Sequence, residues 1–281
     1  MATTPTFSAE FFPPRDNEGE LRLWEALATL SQLNPNFVSV TYGAGGSNRD
    51  RTIRVTGEIT SRTGISTVAH LTCVGATKDE LTETLDSYRK YGIKSILALR
   101  GDPEGGPRAN WVTTPGGFNH SDELVSLAVA MGFEVGVAAF PDIHPASKTL
   151  EQDVAVLLEK ERRGASFATT QFFFSIDRYV KLRDALRAAG SKLPIIPGIL
   201  PITNFKQLDR MAQLIGAEIP QSITERILPF AENPDRVKQI GIEIAVELCE
   251  ALLKLEVPGL HFYTMNSAAA TMQIVQAIGL R

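Results

Sequence analysis

Cysteine is nearly missing from this 281-residue chain, which has only Cys73 and Cys249. Two thiols cannot build a disulfide framework. They suit a reducing compartment, where each reads as a small buried hydrophobe. An excess of one charge is missing too. Lysine and arginine number 28 against 32 aspartates and glutamates, for a net charge of −4. With no long basic run, that balance argues against a dedicated nucleic-acid or anionic-membrane binder. No window approaches the roughly 20 apolar residues of a membrane span. The N-terminus, Met1 to Phe12, lacks a basic segment leading into an apolar one, so no secretory signal is expected and the expected location is cytoplasmic. Histidine is scarce: His70, His120, His144 and His261 are scattered, with no HxH or HExxH pairing, and no metal site is expected. P-loop, GxGxxG and GxSxG patterns are absent as well, which leaves the standard nucleotide and serine-hydrolase motifs unsupported.

What is there is alternation. Hydrophobic residues make up 43% of the chain, enough for a sizeable core. Eight short apolar runs read as strands: Phe7–Phe12, Phe37–Tyr42, Thr67–Cys73, Ser95–Leu99, Glu134–Ala139, Phe167–Phe172, Leu193–Ile199 and Gly259–Tyr263. Most are continuously apolar, as expected of a parallel sheet covered on both faces. The intervening segments read as helices. Leu23, Leu27 and Leu30 form one stripe in Leu21–Leu33, and Thr77 with Glu80 makes a capping-box pattern ahead of Asp79–Lys90. Leu150–Arg163 ends in basic residues before Gly164. Pro234–Leu255 is the longest, and Pro220–Leu228 adds helical material before it. Strand–helix repetition without a midpoint favours an α/β fold of the (βα)8 TIM-barrel type, one domain over residues 1–281, above an open doubly wound sheet. The Gly- and Pro-rich stretch Glu104–His120, carrying Trp111, exceeds a normal connection and reads as a lid or binding loop.

In such a barrel the chemistry sits at the C-terminal ends of the strands. Glu10 lies among Phe7, Phe11, Phe12, Pro13 and Pro14, apolar company that favours a proton-carrying general acid. The competing reading is a carboxylate paired with Arg15 or Arg49. Arg100-Gly101-Asp102 offers two charges flanking a glycine that permits close backbone approach. Thr41 to Asn48 resembles a phosphate- or ring-cradling turn. Gln171 interrupts an aromatic run and, as a buried amide, needs partners that the ring nitrogens of a ligand could supply.

Eight motifs then occur in order: Glu10-Phe11-Phe12-Pro13-Pro14-Arg15, Phe37 to Ala44, His70-Leu71-Thr72-Cys73, Ala98 to Asp102, His144-Pro145, Thr170 to Phe174, Pro197 to Pro201 and His261 to Asn266. Together they resemble the catalytic domain of the methylenetetrahydrofolate reductases. The resemblance implies FAD at the C-terminal face of the barrel, NADH or NADPH as hydride donor and a folate as acceptor, and it suggests a homo-oligomer. It makes Glu10 the acid that assists opening of the folate imidazolidine ring at N10. Asp102 becomes a carboxylate beside the flavin and pterin, and Gln171 a contact for both substrates. Thr41 becomes a nicotinamide-side contact and Gln207 a folate contact. Flavin-binding positions map onto Thr41, Tyr42, Ala44, His70, Arg100, Gly101, Asp102, Phe140, His144, Asp153 and Lys160. The chain departs from the pattern at Phe140, where many relatives have tyrosine, and at Ser267, where an arginine often meets the folate glutamate. Two alternatives stay open: a folate-binding one-carbon transfer protein and a flavin-free reductase on the same barrel.

Overall fold

The computed structural model describes residues 5–42, 47–106 and 109–280, with 47–49 and 214 described for the backbone only. Strands and helices alternate as β1 (Thr6–Phe11), α1 (Asn17–Ser31), β2 (Phe37–Val40), α2 (Ser47–Thr63), β3 (Thr67–Thr72), α3 (Lys78–Lys90), β4 (Ser95–Leu99) and α4 (Ser121–Ala130). They continue as β5 (Glu134–Ala139), α5 (Leu150–Arg162), β6 (Phe167–Phe172), α6 (Ile176–Ala188), β7 (Ile195–Ile199) and α7 (Phe205–Ile215). A short α8 (Gln221–Ile227) and a 3-10 turn at Leu228–Phe230 precede α9 (Pro234–Lys254), β8 (Gly259–Tyr263) and α10 (Ala268–Ala277). The eight strands close in chain order into a parallel barrel, with β8 against β1.

All eight expected strands are present, β2 ending at Val40 and β3 at Thr72, and two of the shifted edges have clear local causes. β1 stops at Phe11 because the Asn266 side chain takes both backbone groups of Phe12: Phe12 N donates to Asn266 Oδ1 at 2.7 Å, and Asn266 Nδ2 donates to Phe12 O at 3.0 Å. β7 begins at Ile195 and not at Leu193, since Pro194 has no N–H to give the ladder. The capping box forms as read: Thr77 N donates to Glu80 Oε2 at 2.8 Å, and Glu80 N donates to Thr77 Oγ1 at 3.3 Å.

Alternate strand residues divide the core. On β1, Phe7, Ala9 and Phe11 face the helices, where Ala9 and Phe11 pack with Leu23, Leu27 and Leu30 of α1. Burying each such leucine contributes about 1.5–3 kcal/mol. Inside the barrel, Phe37, Val68 and Leu97 form a cluster with Phe167 and Ile196. Both cysteines are buried; burial pushes the Cys73 thiol up to about 11 and Cys249 up to about 12, as suits packing groups. No described helix is long and apolar enough to cross a membrane.

Candidate active site

Ser8 and Glu10 are two residues apart on β1, so both side chains point into the barrel. The β1–β8 register sets Ser8 beside His261 and Glu10 beside Tyr263. That pairing assembles a buried polar chain. Ser8 Oγ lies 2.7 Å from His261 Nδ1, and His261 Nε2 lies 3.4 Å from Glu10 Oε2. Ser8 Oγ also donates to Leu260 O at 3.4 Å, so the hydroxyl can meet Nδ1 as donor or as acceptor. The imidazole proton lies on Nε2, facing Glu10, in the first case and on Nδ1 in the second. Phe37 stacks on the His261 ring at 5.7 Å and holds its plane.

A second imidazole approaches from β3. His70 Nε2 is 3.5 Å from the same Oε2, without the alignment of a hydrogen bond. Burial drives this imidazole down to about 4, against the pull of the Glu10 charge. Glu10, 8% exposed, therefore sits between two histidines and pairs with no described arginine or lysine. Arg15 is exposed and makes no contact with it; the Arg49 side chain lies outside the described residues. Oε1 has no described hydrogen-bond partner, while the Glu10 carbonyl accepts from Thr264 Oγ1 at 2.6 Å.

Tyr263 forms the next wall. Its ring meets His261 edge-on at 5.5 Å, and its hydroxyl donates to Thr170 O at 2.7 Å. Burial, followed by the charge of Glu10, raises its phenol well above the usual value. Gly198 on β7 makes room: a Cβ there would come within 2.3 Å of Thr170 O and 2.7 Å of the Tyr263 ring. Gln171, half-buried at the end of β6, uses its Oε1 to accept from Phe172 N at 3.0 Å, within a register irregularity between Thr169 and Phe172. Its amide nitrogen hydrogen bonds to no described residue.

A cationic cluster occupies the ends of β4 and β5. Gly101 takes a φ of +82°, and a Cβ would come 2.4 Å from Val74 Cγ1, so only glycine turns the chain here. Arg100 lies under Trp111 at 4.9 Å from the ring centre, and Trp111 Nε1 donates to Asn119 Oδ1 at 3.2 Å. The described parts of the long loop are thus pinned over Arg100 and, through Lys78 N donating to Gly116 O, to the start of α3. Asp102 is exposed at the rim. His144 N donates to Asp153 Oδ2 at 2.8 Å, Ser147 fills the other oxygen of Asp153, and the Phe140 ring meets His144 at 4.5 Å. Burial and then the Arg100 charge lower the His144 imidazole. Lys160 projects into the cluster from α5, almost wholly buried. Burial lowers its ammonium to about 8 against the pull of Asp122 and Asp153, and it hydrogen bonds to no described residue.

Thr41 and Tyr42 follow β2, half-buried, with Thr41 N donating to Phe11 O at 2.9 Å. Ala44 lies outside the described residues. Gln207 lines a hollow with Thr203, Asn204, Met211 and Met265. The expected residues thus fall into three neighbourhoods: Glu10 with His70, Arg100 to Asp102 with His144 and Lys160, and Gln207 on α7. Ser8 and Asp122 were not singled out as site residues from the sequence; Tyr263 was noted only within the His261-to-Asn266 motif, and His261 there and among the scattered histidines. A polar residue two positions from Glu10 was the one signal for Ser8.

The model of the family described as "Methylenetetrahydrofolate reductase" matches residues 2–279. The chain is 39% identical to 5,10-methylenetetrahydrofolate reductase of Pectobacterium carotovorum subsp. carotovorum, over 98% of this chain and 90% of that one. It is also 39% identical to the Escherichia coli (strain K12) enzyme of that name, with the same coverage. It is 34% identical to methylenetetrahydrofolate reductase (NADH) 1 of Arabidopsis thaliana, over 98% of this chain and 48% of that one. Among solved structures, the fold resembles a Clostridium thermocellum protein that binds two copies of 5-methyl-5,6,7,8-tetrahydrofolic acid, with a TM-score of 0.66 at 14% identity, covering 99% and 96% of the two chains. It also resembles dihydropteroate synthase of Xanthomonas albilineans, with a TM-score of 0.52 at 16% identity, covering 98% and 93%.

Proposed function

Since this chain belongs to the methylenetetrahydrofolate reductase family of oxidoreductases, we propose that it reduces 5,10-methylenetetrahydrofolate to 5-methyltetrahydrofolate with NADH or NADPH as donor, FAD as carrier and Glu10 as general acid. The observation that carries the reading is the setting of Glu10. Its Oε2 faces two imidazoles, its Oε1 is free of described partners, and no described cation pairs with it. A carboxyl in that setting can hold a proton on Oε1 and pass it to the folate N10, which opens the imidazolidine ring and exposes an electrophilic carbon. His261, whose Nε2 lies 3.4 Å from Oε2, holds that side of the carboxyl as the proton leaves Oε1.

The cationic cluster fits the anionic end of a flavin dinucleotide. Lys160 is a buried ammonium without a described hydrogen-bond acceptor, beside Arg100 and His144 and drawn only through space by Asp122 and Asp153, so its N–H donors suit an anion that accepts hydrogen bonds. In this reading Arg100, Gly101, His144 and Lys160 hold the phosphates and sugar, with Thr41, Tyr42, Ala44, His70, Asp102, Phe140 and Asp153 around them. Phe140 lends a ring edge to His144 in place of a hydroxyl. The chemistry FAD supplies when bound is hydride relay between nicotinamide and folate. Asp102 and Gln171 orient the pterin, and Gln207 meets the outer part of the folate.

The test is spectroscopic. Under anaerobic conditions the flavin band should bleach with NADH or NADPH and return on addition of 5,10-methylenetetrahydrofolate. Absence of reduction even with added FAD would overturn the reading.

A further inference from the structure

A cavity of about 150 Å³ opens between the end of β7, α9 and the β8–α10 turn, lined by Pro201, Thr203, Lys238, Tyr263, Met265 and Ser267 among others. Lys238 is its one charged lining residue. That lysine is half-buried and forms no ion pair or hydrogen bond with any described residue. The Thr203 and Ser267 hydroxyls on the same wall can donate but bring no charge. The arrangement suits a small anion that accepts hydrogen bonds.

The cavity shares a wall with the surroundings of the acid. Tyr263 forms part of its wall, and the ring of Tyr263 meets His261 at 5.5 Å beside Glu10. The hollow around Gln207 shares Pro201, Thr203 and Met265 with it. One wall is held in a costly backbone conformation, with Met265 at φ 53° and Asn266 at φ 57°, fixed by the paired hydrogen bonds of Asn266 to Phe12. Left-handed non-glycine residues held by surrounding bonds are frequent at ligand clamps.

We infer that Lys238, assisted by Thr203 and Ser267, binds a carboxylate of the glutamyl arm of the folate substrate and so sets how strongly that arm contributes to affinity. A folate with its reacting ring at Glu10 carries its carboxylates on an extended arm, and the cavity that Tyr263 walls holds an unpaired cation suited to them. The assignment rests on the proposed folate reduction for its ligand, and its test is one of binding and not of turnover.

The experiment measures equilibrium binding of 5-methyltetrahydrofolate and of a tetrahydropterin that lacks the arm to the wild type, Lys238→Met and Lys238→Arg proteins. Lys238→Met should weaken folate binding roughly tenfold, as for loss of one charge-assisted hydrogen bond. It should leave pterin binding unchanged, and Lys238→Arg should keep most of the folate affinity. In turnover, Lys238→Met should raise the folate KM and spare kcat. Equal losses for both ligands, or no loss for either, would overturn the assignment. Wild-type protein that binds folate in this Lys238-dependent way but shows no turnover would sink the reductase reading alone.

Discussion

Oε2 of Glu10 and Nε2 of His261 face each other across the seam where the barrel closes, 3.4 Å apart although 251 residues separate them in the chain. The contact follows from a ladder that pairs Ser8 with His261 and Glu10 with Tyr263. A shift of one residue in that register would send these inward side chains to the helix-facing side. The chemistry of the site therefore depends on the pairing of the first and last strands.

Replacing Glu10 with Gln keeps the size of the side chain and removes the acid. Folate reduction should fall by about 10²- to 10⁴-fold, the usual worth of a positioned proton donor. Flavin reduction by the nicotinamide should be largely spared. Stopped-flow measurement of the two half-reactions separates these outcomes, and equal loss in both would count against the assigned role.

His70 should make the fold sensitive to mild acid. Burial holds its imidazole at about 4 in the folded protein, below the ordinary 6.5. As pH falls through 6.5, the unfolded chain takes up a proton that the folded one refuses until about 4. Stability from this residue is full above 6.5 and drains away between 6.5 and 4, at up to about 1.4 kcal/mol per pH unit. Urea unfolding across that window should show a shallower pH dependence for His70→Gln than for the wild type.

Lys160 should reveal a conflict between stability and binding. Its ammonium is lowered to about 8 by burial, below the ordinary 10.5. The folded state therefore loses stability as pH falls from 10.5 to 8 and carries the whole cost below that. Lys160→Met should raise the melting temperature of flavin-free protein at pH 7 while weakening flavin retention. Calorimetry of the flavin-free form paired with a flavin titration checks both halves.

Gly198→Ala places a Cβ 2.3 Å from a backbone oxygen of β6 and 2.7 Å from the Tyr263 ring. Since the Thr170 carbonyl belongs to a strand and cannot swing away, the substitution should cost about 1–3 kcal/mol. It should also displace Tyr263 from its bond to Thr170. A lowered urea midpoint with a raised folate KM is the expected pair of results.

The sequence was most legible where the causes are local. Thr77 and Glu80 announce their helix start because a capping box spans four residues, and continuous apolar runs mark strands buried on both sides. Glu10 was legible as an unusual carboxylate, but not its company. Of the two arginines weighed as partners, Arg15 is exposed and the Arg49 side chain lies outside the described residues. The groups that reach Glu10 are His70 from β3 and His261 from β8, through pairings a linear reading does not contain. Lys160 is mapped as a flavin-binding position through the resemblance alone, and nothing in its local sequence marks it as buried. Only the packing of α5 against β5 and α4 reveals it as a buried ammonium. The long loop reads as a lid or binding loop, and the described parts of it rest on Arg100 and on the start of α3.

The seam between β1 and β8 has a bearing on the order of events at the ribosome. Glu10 is translated well ahead of Thr264, which grips its carbonyl, and Phe12 well ahead of Asn266, which ties it down, each pair being more than 250 residues apart. The acid then waits without its cage while the other strands of the barrel are made. A nascent chain stalled before residue 259 has seven strands at most and an open edge where the site should be, so competence arrives abruptly with the final strand.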